Sequence, residues 1–468
     1  MKKQVDTHVF SFFASMSYEA DQFNETTGEL DRFIVARNVL KFFLLGTEID
    51  INDSEINKGI HLFVKALIFE HNPLLMAALR YEFQQVLDSM AKHLCTDILE
   101  DKPLKGLISH LLAIYPFFAQ NDTQENLTIP QKINDKWQSI TYNVEALDLS
   151  PKTGLISKLI RTQDHIYAYG LIPVDDHSEA PRQLLLMGTT FPTGQGAPFS
   201  ICRLFDPGYS VGEGYDWTEV QAWLGKNPSK AMVTGMSQGG ASAMFIAAQY
   251  AEHIMQADCF NPPALCAETL RRLETKWISI SNRPIINIYM QKDDPVFPLE
   301  HGFLTGSHLH CISVKKTRSS LRIPIIPHMI IKVLEAHSQL YLGRGDAILE
   351  EHTEEENAQF SRMFFADIKT VVNWIISPFL HANLIAMLGL DHVKNWSLNT
   401  LPRIPVVIIG FIPYYTLKLS LILILLGPPA IILIPLLLLT ALVSAIRICL
   451  RLSIEHAAKP DEMLSRGS

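Results

Sequence analysis

The sequence predicts an α/β fold, with a mostly parallel sheet, crossover helices, an N-terminal helical region and a C-terminal apolar helical hairpin. Three observations lead there. Residues Lys230 to Ala251 read as a short apolar strand, a glycine-flanked turn and a helix rich in small residues. Beyond residue 135, apolar runs of strand length alternate with helical stretches, as parallel strands require because their connections cross over the sheet. The run Ile285 to Met290 then ends in an acidic turn, Asp293-Asp294-Pro295, at the carboxyl end of a strand.

Composition narrows the function classes. The 468 residues suit one large α/β domain with accessory segments. A net charge of −8 without any basic block argues against nucleic-acid binding. The six cysteines are scattered and form no C-x-x-C, which predicts reduced, buried thiols and not a disulfide framework. Asp6 and His8 interrupt the apolar character of the N-terminus, so no cleaved signal is expected and the core is assigned to a reducing, cytoplasmic space.

In chain order, residues 1–134 read as a helical region without strand alternation. Apolar residues recur at helical spacing through Leu30 to Phe43, Ile60 to Ile68 and Leu74 to Leu87, with Pro73 at an early helix position. Lys102 to Phe118 forms a further apolar helix, and the polar stretch Gln120 to Asp135 reads as a linker. A catalytic core is expected over 135–345. Its strands are Trp137 to Val144, His165 to Val174, Leu184 to Met187, Ala231 to Thr234, Ala257 to Phe260, Ile285 to Met290 and Cys311 to Val314. Its helices include Asp216 to Leu224, the helix after Ser237, and Ala267 to Lys276. Residues 346–402 form an amphipathic helical connector, 403–451 a membrane hairpin and 452–468 a polar tail.

The chemistry begins at Gly235-Met236-Ser237-Gln238-Gly239. A serine at a sharp strand-to-helix corner needs small residues two before and two after it, and it gains backbone N–H groups from the helix N-terminus. A serine nucleophile further needs a base and an orienting carboxylate. Asp294, at the turn after the Ile285 strand, is the acid, with Asp293 as runner-up. Among downstream histidines, His301 follows the acid too closely, and His308 and His310 enter the Cys311 strand at its wrong end. His352 lies in the run Glu350 to Glu356, which reads as a solvated helix start with Thr353 and Glu356 as a capping box. His328 and His337 remain, and His337 is preferred for its distance past the last strand. The oxyanion would be held by the backbone N–H of Gln238 and by that of Thr189, in the loop that opens with Gly188. No third ligand is spaced to join His308 and His310, so no metal or other cofactor is expected.

Four segments together resemble the α/β-hydrolase superfamily, most closely its lipase branch. They are Leu184 to Thr190, Gly235 to Gly240, Asp293 to Pro298, and Ala336-His337-Ser338 with Tyr341. The likeness covers about Trp137 to Leu342, with Met-Ser-Gln where that family more often carries His-Ser-Leu. It implies acyl-ester hydrolysis through an acyl-enzyme, with Ser237, Asp294 and His337 as the triad.

The C-terminus changes character. Pro405 to Leu426 carries a single charge, Lys418, and Ala430 to Ile446 carries none, with Gly427-Pro428-Pro429 between them. Two runs of about 20 residues around such a turn read as a membrane hairpin. Lys418 would cost about 3 kcal/mol at a bilayer centre, against about 0.3–0.6 returned by each Leu, Ile or Val, so insertion wins. Arg403, Arg447 and Arg451 flank the hairpin and assign both ends to the cytoplasmic side. The alternative for this segment is a buried helical pair or lid. The sequence thus predicts a membrane-attached lipase- or esterase-like hydrolase acting on lipid or acyl esters. The alternative is a catalytically inactive, membrane-anchored binding module.

Overall fold

The computed structural model describes residues 2–4, most of 73–316, 347–352, 365–400, and 417, 420 and 421. Its strands are β1 (Lys2–Gln4), β2 (Glu125–Ile133), β3 (Lys136–Asp148), β4 (Tyr167–Pro173), β5 (Arg182–Leu186), β6 (Ala231–Met236), β7 (Ile254–Phe260), β8 (Ile285–Met290), β9 (Leu309–Lys316) and β10 (Ala347–Glu351). Its α-helices are α1 (Pro73–Leu94), α2 (Asp101–Ile114), α3 (Ala197–Cys202), α4 (Thr218–Gly225), α5 (Gln238–Gln249), α6 (Ala267–Ser279) and α7 (Phe365–Thr400). One sheet contains all ten strands, in the order β1-β10-β9-β8-β7-β6-β5-β4-β3-β2.

The fold is α/β. Strands β5 to β9 are parallel, as the apolar runs and intervening helices require, while β2 to β5, β9 to β10 and β10 to β1 pair antiparallel. The expected parallel sheet is therefore the central half of a mixed one. Side chains alternate between two cores, as the pleat dictates. Leu184 and Leu186 of β5 enter one with Ile286 and Ile288 of β8, while Leu185 and Tyr289 enter the other. Helices α4, α5, α6 and α7 cover the first face, and α1 and α2 cover the second.

The described part of the region before residue 134 thus packs on one face of the same sheet, and it contains strands. Leu127 and Ile129 of β2 are buried under α1 in the second core. Asn134 and Asp135, both at positive φ (49° and 62°), form the two-residue turn that joins β2 to β3. The stretch read as a polar linker is an edge strand, and its edge position explains its composition. Pro130 can sit there because, among the described residues, β2 has no strand on its outer side to receive an N–H. Of the run Glu350 to Glu356 read as a helix start, Glu350 and Glu351 belong to β10, whose pairing with β9 overrides the local helical signal, while its capping box, Thr353 and Glu356, lies outside the described residues.

Two buried polar groups tie the layers together. Arg182, 1 % exposed, donates to Trp223 O (3.0 Å) and Leu224 O (3.2 Å) at the end of α4, with its guanidinium 4.7 Å from the Trp223 ring centroid. A cation beside the last carbonyls of a helix compensates both its own desolvation and the helix dipole. Asp258 accepts from Ser109 of α2 (2.6 Å), Gln256 (2.9 Å) and Asn287 (2.8 Å), which satisfies a carboxylate whose pKa burial pushes up. Cys202, Cys259, Cys266 and Cys311 are buried free thiols, in line with the reduced state the sequence predicts.

His110 on α2 is 1 % exposed and lies 5.0 Å from the Phe260 ring centroid. Neither of its ring nitrogens has a hydrogen-bond partner among the described residues. Burial alone lowers its pKa to about 4. The unfolded chain, with an ordinary histidine, takes up a proton that the folded chain refuses. Stability is therefore lost as pH falls from about 6.5 to about 4, by about 3 kcal/mol across that window. Urea unfolding at several pH values should show this slope, and His110→Leu should flatten it; an unchanged slope would assign it to other groups.

Candidate active site

The site is built where β6 hands over to α5. Ser237 sits between them at φ 54°, ψ −122°, a conformation that costs a non-glycine residue about 1–3 kcal/mol. The neighbouring backbone holds it there. The Ser237 N–H donates to Phe260 O at the end of β7 (2.8 Å), and the Ser237 carbonyl accepts from Ala241 N (3.1 Å), the first bond of α5. The flanking glycines are sterically required. A methyl on Gly235 would overlap the Gly239 carbonyl, and one on Gly239 would overlap the Leu186 carbonyl at the end of β5. Gly188 is also crowded, with a Cβ there only 2.7 Å from Met236 O. The serine is half-buried.

The two residues expected to hold an oxyanion are brought together. The Thr189 hydroxyl donates to Gln238 Oε1 (3.2 Å), so that hydroxyl is used to join the loop after β5 to the start of α5. Gln238 is fully buried. Its Oε1 also accepts from Ser200 Oγ (2.7 Å), and its Nε2 donates to Ser200 O (3.3 Å) on α3. The glutamine side chain therefore clamps three segments around the serine. Ser200 had no signal in the sequence, because it lies 38 residues away and meets Gln238 only through the fold.

Asp294 lies just past β8 and is 2 % exposed. Its N–H closes a turn on Gln291 O (3.1 Å), and its Oδ2 accepts from Asn261 Nδ2 (2.8 Å). Asn261 follows β7, sits at φ 44° and donates its own N–H to Tyr289 O (2.7 Å). Because β6, β7 and β8 are parallel neighbours, Ser237, Asn261 and Asp294 line one carboxyl edge of the sheet. Ser237 and Asp294 are two strand spacings apart, roughly 10 Å. Asn261 is the carboxylate's partner that sequence reasoning missed; an asparagine before Pro262-Pro263 at a strand end was its faint signal.

Among the histidines, His337 and His328 lie outside the described residues, as do His301 and the runner-up acid Asp293. His308 stands at the amino end of β9, the edge opposite Ser237, and His310 Nδ1 meets Glu351 Oε1 at 2.7 Å. His352 pairs through Nε2 with Ser313 Oγ, and its backbone N–H donates to Cys311 O (3.0 Å), so it belongs to the sheet. Strand β9 ends at Lys316 on the carboxyl edge, and antiparallel β10 begins there at Ala347.

Of the expected hairpin at 403–451, only Leu417, Ser420 and Leu421 are described. All three are helical, and Leu421 packs on the same core as α7. The described helix that is long and apolar enough to cross a membrane is the stretch Asn373–Leu390 of α7. Comparison with known protein families, with curated proteins and with solved structures finds no match to this chain.

The crowding at the corner sets a test. Gly239→Ala should destabilise the protein by roughly 3 kcal/mol, because the added methyl meets backbone that cannot yield. Gly225→Ala, at a helix end with open space around it, should be neutral or stabilising by up to about 1 kcal/mol. Chemical unfolding of both variants checks the contrast; equal midpoints would show that the corner is not sterically closed.

Proposed function

We propose that the chain is a membrane-attached serine hydrolase that cleaves lipid or other acyl esters. The observation that carries this reading is the strained Ser237, held between three backbone close approaches at the edge that also bears the buried Asp294. A serine that only capped the helix would have no need of positive φ, and no capping hydrogen bond from its side chain is formed. The steric logic is that of a nucleophile elbow, which lifts the hydroxyl clear of the sheet edge.

In this mechanism Ser237 Oγ attacks the ester carbonyl carbon while His337 takes its proton. The backbone N–H groups of Gln238 and Thr189 receive the oxyanion. His337 then protonates the departing alkoxide, and an acyl-enzyme remains on Ser237. Water attacks that ester with the same histidine as base, releasing the acid and restoring the serine. Asp294, kept in place by Asn261, orients the imidazole. Ser237 and Asp294 stand two strands apart on one edge, which leaves room for an imidazole between their side chains. The segment 317–346, which holds His328 and His337, leaves from and returns to that same edge. The apolar run 403–451 supplies the membrane attachment, with the core on the cytoplasmic side.

A fluorophosphonate probe should label the wild-type protein and leave Ser237→Ala unlabelled. His337→Ala should lower turnover of p-nitrophenyl esters about 10⁴-fold, and Asp294→Asn should weaken it to a similar degree. His328→Ala should retain activity. Esters of graded chain length separate lipase from esterase by their preference. A folded protein that neither labels nor turns over any of these esters would sink the reading and leave the membrane-anchored binding module.

A further inference from the structure

Helix α7 presents two apolar faces. One is buried in the core through Ile376, Leu380, Leu384, Met387 and Leu388. Polar contacts hold that side in place: Cys202 Sγ donates to Leu380 O (3.5 Å), and His381 Nε2 lies 3.7 Å from Asp206 Oδ1. The other face is open to solvent. Trp374 is 65 % exposed, Ile375 69 % and Phe379 44 %, and Pro378, Ala382 and Ala386 continue the stripe at helical spacing. No Asp, Glu, Lys or Arg occurs anywhere from Asn373 to Leu390. A water-facing helix surface ordinarily carries charge, and this one carries none over five turns.

We propose that the outer face of α7 lies on the surface of a lipid bilayer, as a contact separate from the membrane hairpin. Its position in the chain argues for this occupant. Three residues after α7 ends at Thr400, the run Ile404 to Leu450 begins, with Lys418 and Arg447 as its only charged residues. The inference rests on the membrane reading of that run, which tethers the end of α7 at the bilayer. A helix held there with one face fixed to the protein has only its free face to offer, and Trp and Phe side chains favour the boundary between headgroups and acyl chains. Crossing the bilayer would strip the other face from its core, so α7 lies along the membrane and does not span it. Its buried face rests against α3, and Ser200 of α3 holds Gln238 beside the serine. The contact therefore sets two helices, α7 and α3, between the lipid and the carboxyl edge of the sheet.

The test uses the full chain reconstituted in phosphatidylcholine vesicles whose acyl chains carry bromine near the headgroup or near the chain end. The protein has six tryptophans, so the difference between wild type and Trp374→Phe isolates the signal of Trp374. Bromine near the headgroup should quench that signal, and Ile375→Gln combined with Phe379→Gln should reduce the quenching while circular dichroism stays unchanged. Stronger quenching by bromine at the chain end would overturn the proposal in favour of a spanning helix. Absence of Trp374-dependent quenching in protein that floats with the vesicles would overturn it while leaving the hairpin intact. Protein that fails to float would overturn both.

Discussion

The fold depends on the close approach of backbone around residues 235–240. At Gly235 and Gly239 a single methyl would overlap carbonyl oxygens of α5 and β5, and at Gly188 it would press on β6. Two strand ends and one helix therefore meet at van der Waals distance, and their relative positions leave no freedom to the serine between them. The strain at Ser237, about 1–3 kcal/mol, persists only because the surrounding sheet over-determines it. That sheet is buried on both faces, with Val233 of β6 in one core and Met236 in the other. The layer formed by α1 and α2 thus matters to the site although it contributes no residue to it, because it closes the face that α5 leaves open.

What was legible in the sequence follows from how local each constraint is. The corner was readable because its strand, glycines, serine and helix are contiguous and each is required by its neighbours. Strand β8 and Asp294 were readable for a similar reason, since a largely apolar strand ending in an acidic turn is a local pattern. Strands β2 and β10 were hidden because they lie at or near the edges of the sheet, where outward positions take polar residues and alternation fades. Glu350 and Glu351 look helical by composition, yet the ladder with β9 decides their conformation. Asn261 and Ser200 were invisible for another reason. Their importance lies in partners 33 and 38 residues away, which only the folded sheet brings within hydrogen-bonding distance.

Gln238 shows how the polar arrangement extends the steric one. A buried amide with its oxygen shared by Ser200 and Thr189 is held in one orientation. The glutamine after the serine thereby supplies a hydrogen-bonded junction between the loop after β5, α3 and α5. Leaving such a group partly unsatisfied costs about 1–3 kcal/mol, so the junction is stable only while all three segments are in register.

That junction also gives physical content to a link between the serine and the outer surface of the molecule. From Ser237 the path runs one residue to Gln238, by hydrogen bonds to Ser200, two residues (about half a turn) along α3, and from Cys202 to Leu380 of α7. Every step is a buried contact, and the last lies on the opposite side of α7 from Trp374 and Ile375. A helix of 36 residues, roughly 54 Å long, transmits position along its axis far better than a loop of that length. Lipid bound to its outer face would constrain the orientation of α3, and through it the loop that begins at Gly188. Because α3 is only six residues long, its own helical propensity does little to fix it, and its position is set by what packs on either side. The buried side of α7 is thus joined through packed contacts to the residues that position Gln238 beside Ser237.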